Sequence, residues 1–307
     1  MTATTTWCDE VTGVALAALG WIDAHREDFR LPEVPEAAGQ DRNRTLRPLG
    51  ELARLTHVMA RQEVLGAEGR RLANALFDFA WQETRQGDVL ATIARREPFA
   101  TYPLEFYAAF AQAGLRHHGL DAQLRHVTRT RLWRTAERDA TRTLAVLGAE
   151  RDAGLAQHEE PLAVLPHTWL GGGAEPWSFT AEAGYAATHT VFHLTDWCTE
   201  PGGLTAGLRE HLRLWLPAWL ACSVEAGHWD LTGELLAVAA VLPEPVDVEP
   251  AWTALARAQG VDGAVAETAE LNNDGKDFYR CYHSTLVMAF SATLTAQRAL
   301  RTGQGAP

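Results

Sequence analysis

The chain has 307 residues, 27 basic against 39 acidic side chains for a net charge of -12, and 47% hydrophobic content. That is enough apolar material for a large core, read as one all-helical domain over 1–307, with halves 1–160 and 161–307 joined by an irregular loop as the alternative. The acid excess makes the chain a poor general phosphate binder, so no nucleic-acid partner is expected, and no run approaches the roughly 20 apolar residues of a membrane span.

At the start of the chain, Met1-Thr-Ala-Thr-Thr-Thr-Trp-Cys-Asp-Glu10 has no basic segment before its apolar stretch, which points to a cytoplasmic protein. Cys8, Cys198, Cys222 and Cys281 are widely scattered with no Cys-x-x-Cys pair, so free thiols are expected. Lys276 is the only lysine among many arginines, a matter of codon usage.

Helical periodicity recurs along most of the chain. Leu72, Leu76, Phe79 and Ala80 share a face, as do Leu104, Tyr107, Ala108, Ala111 and Leu115. Next, Arg125, Arg129, Arg131, Arg134, Arg138 and Arg142 make one helix basic. Glu137 and Asp139 interleave, so a solvated face is expected, with an anion- or partner-docking surface as the alternative. Leu155 to Ser178 lacks periodicity and reads as a lid or a crossing between halves. Further on, Leu208, Leu212, Trp215, Leu216, Trp219 and Leu220, then Leu231, Leu235, Val238, Ala239 and Leu242, mark two strong helices.

Pro- and Gly-bearing separators fall at Arg30-Leu-Pro32, Glu97-Pro98, Gly171-Gly-Gly173, Pro201-Gly-Gly203, Pro243-Glu-Pro245 and Asn272-Asn-Asp-Gly275. About ten to twelve short-linked helices with no strict repeat favour an all-α fold closed into an α/α barrel (toroid) of antiparallel hairpins over an open solenoid.

Chemistry concentrates in Tyr185-Ala-Ala-Thr-His-Thr-Val-Phe-His-Leu-Thr-Asp-Trp197. At about 100° per residue, His193 lies roughly 40° from His189 and Asp196 roughly 20° on the other side, so all three project together. The helix is predicted to begin near Thr180 and to end before Pro201. Two imidazoles and a carboxylate at one point suit a metal or an acid/base group, while histidines satisfied in the core are the plain alternative. Thr190 occupies the position of the Glu in His-Glu-x-x-His, which argues against a zinc protease. Gly-x-Ser-x-Gly, Walker, dinucleotide-binding, Asp-Asp-x-x-Asp and Asp-x-Asp-Asp motifs are all missing.

The second segment, Asp277-Phe-Tyr-Arg-Cys-Tyr-His-Ser-Thr-Leu286, puts His283 on the face of Leu286, Phe290 and Leu294, pointing inward. Cys281 is the second choice there. Asp230 and Glu234, one turn apart, read as an exposed pair of a common kind and as the fallback acid/base pair for a glycosidase. Trp215, Trp219 and Trp229 read as core packing before substrate contact.

Thr188-His-Thr-Val-Phe-His-Leu-Thr-Asp-Trp197, Cys281-Tyr-His-Ser-Thr-Leu286 and His228-Trp-Asp-Leu-Thr-Gly-Glu-Leu-Leu236 together resemble an uncharacterised actinobacterial family of all-helical proteins associated with specialised metabolism. More distantly, Asp277-Phe-Tyr-Arg-Cys-Tyr-His283 is similar to the Asp-Phe-Tyr-His-Thr-Cys-Tyr segment of protein prenyltransferase β subunits. That likeness implies an α/α barrel with zinc, Asp196-Trp-Cys198 standing for the Asp-x-Cys pair and His283 for the histidine. In this chain the histidine is displaced relative to Asp-Phe-Tyr, and His189 and His193 have no counterpart in the pattern.

The leading expectation is a metal-dependent cyclase- or transferase-type enzyme acting on a small or carrier-bound metabolite. A divalent zinc or iron would be held by His189, His193, Asp196 and His283, with Asp196 and His283 catalytic. Tyr185, Trp197, Trp229 and Tyr282 would shape the substrate site. The alternatives are a metal-free acid/base cyclase or glycoside-active enzyme, and a non-catalytic helical scaffold.

Overall fold

The structure is a computed structural model in which residues 3–35, 41–270 and 277–302 are described. Among these are fourteen α-helices: α1 (Ala3–Ala24), α2 (Leu46–Ala60), α3 (Gly66–Glu83), α4 (Asp88–Arg96), α5 (Tyr102–Gln112), α6 (His118–Val127), α7 (Arg131–Thr135), α8 (Ala140–Asp152), α9 (Pro161–Val164), α10 (Ala181–Leu194), α11 (Ala206–Glu225), α12 (Trp229–Val241), α13 (Glu249–Ala258) and α14 (Phe278–Thr302). No strand occurs among the described residues, where the one β-type contact is an isolated bridge between His228 and Thr268. Nor is any described helix long and apolar enough to cross a membrane. Lys276 and the Asn272–Gly275 turn lie outside the described residues.

Helix packing follows a circuit. α14 packs on α2, α2 on α5, α5 on α8, α8 on α10, α10 on α12, and α12 again on α14. Most of the other long helices attach to members of this set, α1 to α14, α3 to α2, α4 to α5, and α11 and α13 to α12, while α6 packs on α4. Burial explains the difference between the two groups. α12 is buried at nearly every position, from Asp230 to Val241, as a helix with neighbours on all sides must be. α3, on one flank only, alternates between buried Leu76, Phe77 and Ala80 and exposed positions.

Two glycines set how closely α12 approaches its neighbours. A Cβ on Gly184 would stand 2.8 Å from Leu231 Cδ2, and one on Gly233 would stand 2.8 Å from Val287 Cγ1. Small residues at these two crossings bring the first turns of α12 against α10 on one side and α14 on the other. The segment after α13 adds a backbone tie: Glu267 accepts from the Asp230 N–H at 3.3 Å and donates its own N–H to Arg280 at 3.0 Å.

The basic stretch from Arg125 to Arg142 is not one helix. Thr130 and Asp139 have side chains that accept from Trp133 and Arg142 N–H and so cap two new helices, distributing the arginines over α6, α7, α8 and the links that hold Arg129 and Arg138. The predicted His-rich helix begins as expected, with Thr180 capping the Ala183 N–H, and ends before Pro201, but at Leu194, so that Asp196 falls beyond it. Asp196, Trp197 and Cys198 follow with φ of 47°, 55° and 62°, three successive left-handed residues. Such a turn costs about 1 kcal/mol or more per residue. Here it is held by the Trp197 N–H donating to Phe192 O at 2.8 Å, by stacking of Trp197 on Phe192, and by burial of Cys198.

Candidate metal centre and cavity

The early end of the helix decides where the predicted trio goes. Because α10 stops at Leu194, the angular argument no longer holds for Asp196, whose carboxylate instead pairs with Arg151 at 2.9 Å and accepts from Gln112 Nε2 at 2.9 Å. His189 and His193 remain on one face, their rings 6.1 Å apart, and both line a cavity of about 540 Å³. Trp197 lines the same cavity, with Phe106 and Phe192. Trp219 is buried against Phe179 and Trp169, away from the cavity, which is the core role expected of it. Trp229 is half-buried and packs against the core without lining the cavity.

His283 does point inward, but not to that trio. Its Nε2 stands 3.5 Å from Asp230 Oδ1 and 3.7 Å from Glu234 Oε1, and its Nδ1 faces Glu51 Oε2 at 3.3 Å. Among the described residues, Asp230, Glu234 and His283 are the only His, Cys, Asp or Glu group of three whose ligand atoms all lie within 4.8 Å of one another. His189 reaches the edge of this group, with Nε2 3.4 Å from Glu234 Oε1. His193 and Asp196 stand outside it. Asp196, Cys198 and His283 do not form such a group either, so the ligand set implied by the prenyltransferase likeness is not assembled.

In sequence, Asp230 and Glu234 look like an exposed pair of a common kind. They are 4% and 1% exposed, because α12 is enclosed between α10 and α14. Each carboxylate has one oxygen taken by a hydroxyl from α10: Tyr185 donates to Asp230 Oδ2 at 2.9 Å, and Thr188 donates to Glu234 Oε2. The other two oxygens face His283. Asp230 Oδ1 is buried and makes no hydrogen bond among the described residues. A polar atom left in that state costs about 1–3 kcal/mol.

Glu51, on α2, went unnoticed in the sequence. It accepts from Tyr282 OH at 3.1 Å and from Arg47 Nε at 2.8 Å. The only local signal was its i,i+4 spacing from Arg47, which is common on exposed helices. Tyr185 and Tyr282, expected to touch substrate, donate their hydroxyls to Asp230 and Glu51 and do not line the cavity.

Charge states follow from these neighbours. Burial pushes Asp230 up to about 6, with His283 opposing and Glu234 adding to the shift. For Glu234, burial is outweighed by His189 and His283, which hold it below the usual carboxylate range. Glu51 is likewise held at about 2 because His283 and Arg47 overcome its burial. Burial disfavours a charged His283, but Asp230, Glu51 and Glu234 raise its pKa well above the ordinary value. His193 moves the opposite way, lowered by burial and then by His189, Arg54, Arg142 and Arg151.

The donor set suits a divalent cation. With bonds of about 2.1 Å, tetrahedral ligand atoms stand about 3.4 Å apart, close to the 3.5 and 3.7 Å separations here. Two carboxylates and one imidazole are borderline-hard donors of the kind zinc and iron accept. Glu51 behind His283, and the hydroxyls behind Asp230 and Glu234, supply the outer contacts that orient such ligands. Glu51 and His189 belong both to this cluster's surroundings and to the cavity wall. The cavity and cluster together draw on α2, α5, α8, α10, α12 and α14, the six helices of the packing circuit.

A family model described as "Domain of unknown function (DUF6895)" matches residues 15–293. Neither a curated protein nor a solved structure matches the chain.

Proposed function

We propose that this chain, which belongs to the DUF6895 family, is a metal-dependent enzyme acting on a small or carrier-bound metabolite inside an α/α barrel. The circuit from α2 through α5, α8, α10 and α12 to α14 supports the barrel, as does a cavity lined by helices of that circuit. The likeness to actinobacterial proteins of specialised metabolism favours a biosynthetic role, of cyclase or transferase type, for a single helical domain.

One observation carries the reading: the two carboxylate oxygens not engaged by hydroxyls, Asp230 Oδ1 and Glu234 Oε1, converge on His283 Nε2 beside a cavity. A zinc or iron ion held there would supply Lewis acidity. Tyr185 and Thr188 fix the carboxylate planes, and Glu51 stands 3.3 Å from His283 Nδ1 as its charge partner. His189 has 42% of its side chain accessible and contacts Glu234, which places an imidazole where it can exchange a proton with a molecule in the cavity. Leu46, Phe106, Phe192 and Trp197 offer an apolar wall to the non-polar part of a substrate.

A second reading, a metal-free acid/base enzyme, is favoured by the opposite shifts of Asp230 and Glu234, one raised and one lowered. A cavity lined by charged as well as apolar side chains weighs against a purely structural scaffold. The test is metal analysis of protein purified without a histidine tag, followed by titration of chelator-treated protein with Zn²⁺ and Fe²⁺. One equivalent is expected for the wild type and none for His283→Ala or Glu234→Gln with unchanged circular dichroism. A folded wild type that takes up neither ion overturns the metal reading and leaves the acid/base one.

A further inference from the structure

The chain as a whole is acidic, with a net charge of -12, but its cavity is not. Five arginines line it (Arg42, Arg47, Arg54, Arg142 and Arg151) against three carboxylates, Glu51, Glu105 and Asp152. Arg54 is 8% exposed and is consumed by its contact with Asp152 at 2.9 Å, forming a buried tie between α2 and α8. Arg42 pairs with Glu97 and lies over the Tyr102 ring.

The remaining three differ. Arg47, Arg142 and Arg151 keep 56%, 45% and 43% of their side chains accessible. Each is anchored along one edge only. Arg47 uses Nε on Glu51; Arg142 uses Nη2 on Glu105 and Thr101; Arg151 uses Nε and Nη2 on Asp152 and Asp196. In all three, Nη1 makes no hydrogen bond among the described residues. A guanidinium carries five N–H donors in a planar fork, so each retains donors of fixed orientation. After burial and His189, Arg54, Arg142 and Arg151 also help to lower the pKa of His193 on this wall.

We propose that the substrate of this cavity carries a phosphoryl group, as a phosphate ester or diphosphate, gripped by Arg47, Arg142 and Arg151 while its apolar part lies against Phe106, Phe192 and Trp197. Three partly anchored forks match an oxyanion with several equivalent oxygens and more than one negative charge, whereas a carboxylate fills one fork. Glu51 and His189, shared by the cavity wall and the surroundings of the Asp230–Glu234–His283 cluster, set such a group next to the proposed metal. The inference rests on the cavity being the substrate site, as proposed above, and not on the metal being bound.

The experiment is calorimetric titration of chelator-treated protein with inorganic phosphate, pyrophosphate and acetate, repeated for Arg142→Gln, Arg47→Gln and the surface control Arg213→Gln. Binding of phosphate or pyrophosphate is expected, weakened about tenfold or more by Arg142→Gln and by Arg47→Gln and unchanged by Arg213→Gln. Acetate binding as tightly as phosphate overturns the phosphoryl assignment in favour of a carboxylate. Absence of binding, or binding indifferent to both cavity variants while their circular dichroism matches the wild type, overturns it outright. Metal content is read in parallel: metal uptake without phosphate binding sinks only this inference, and phosphate binding without metal uptake sinks only the metal reading.

Discussion

Thr188 on α10 donates its hydroxyl to Glu234 Oε2 on α12, so a side chain from one helix decides which oxygen of a buried carboxylate on another is left to face His283. Thr188→Val removes the donor at nearly constant volume. The stranded carboxylate oxygen is expected to lower stability by about 1–3 kcal/mol in urea unfolding. Metal affinity should fall about 10- to 100-fold, as when an outer-shell contact is lost, measured by competition with a chelator. Unchanged stability and unchanged affinity would show that the hydroxyl does not hold the carboxylate.

Asp196 separates the linear reading of the site from the folded one. Asp196→Asn keeps a residue that tolerates φ near 47°, and removes a partly exposed ion pair with Arg151. Metal content should match the wild type and stability should change by less than about 1 kcal/mol. Loss of metal in this variant would restore Asp196 as a ligand.

The four cysteines are free and should react in order of exposure. Cys222 is exposed, whereas Cys198 and Cys281 are buried, and burial raises the Cys198 thiol far above its ordinary range. Brief iodoacetamide treatment of native protein should therefore modify Cys222 first. Cys198 and Cys281 should react only after denaturation, as mapped by peptide mass spectrometry. Early labelling of Cys198 would contradict the packed left-handed turn that carries it.

His57 should impose a pH dependence on stability. Burial first, then Arg54 and Arg61, lower its pKa from 6.5 to about 4, while Asp196 opposes them. Its Nε2 is buried with no hydrogen bond among the described residues, and its ring lies 5.1 Å from that of Phe77. Between pH 6.5 and 4 the unfolded chain binds a proton that the folded chain refuses. The stability tied to neutral His57 is therefore complete above pH 6.5 and is lost as pH falls toward 4, by at most about 3 kcal/mol. Thermal melts of wild type and His57→Gln across that range should converge as pH falls; parallel curves would rule out a His57 contribution.

Periodicity made the helices legible, because an amphipathic stripe is a local property: the runs at Leu72–Ala80, Leu208–Leu220 and Leu231–Leu242 became α3, α11 and α12. The inward direction of His283 was legible for the same reason, set by its register with Leu286, Phe290 and Leu294. The end of α10 was less so. Thr195 through Trp197 carries no proline or glycine, and the helix stops because the left-handed turn satisfies Trp197 N–H and Asp196 from Phe192, Arg151 and Gln112.

The residues joined to His283 were decided by tertiary structure alone. An Asp and a Glu four apart look the same in sequence on an exposed helix and on one enclosed between two others. What buries Asp230 and Glu234 is the close approach of α12 to α10 and α14, at Gly184 and Gly233. Glu51 enters from more than 230 positions away in the chain, because α2 packs on α14. Sequence alone determined that this chain would be helical and which face of each strong helix would turn inward, since both depend on neighbours within a turn or two. Only the folded chain decided which inward faces meet, and so which carboxylates surround the histidine.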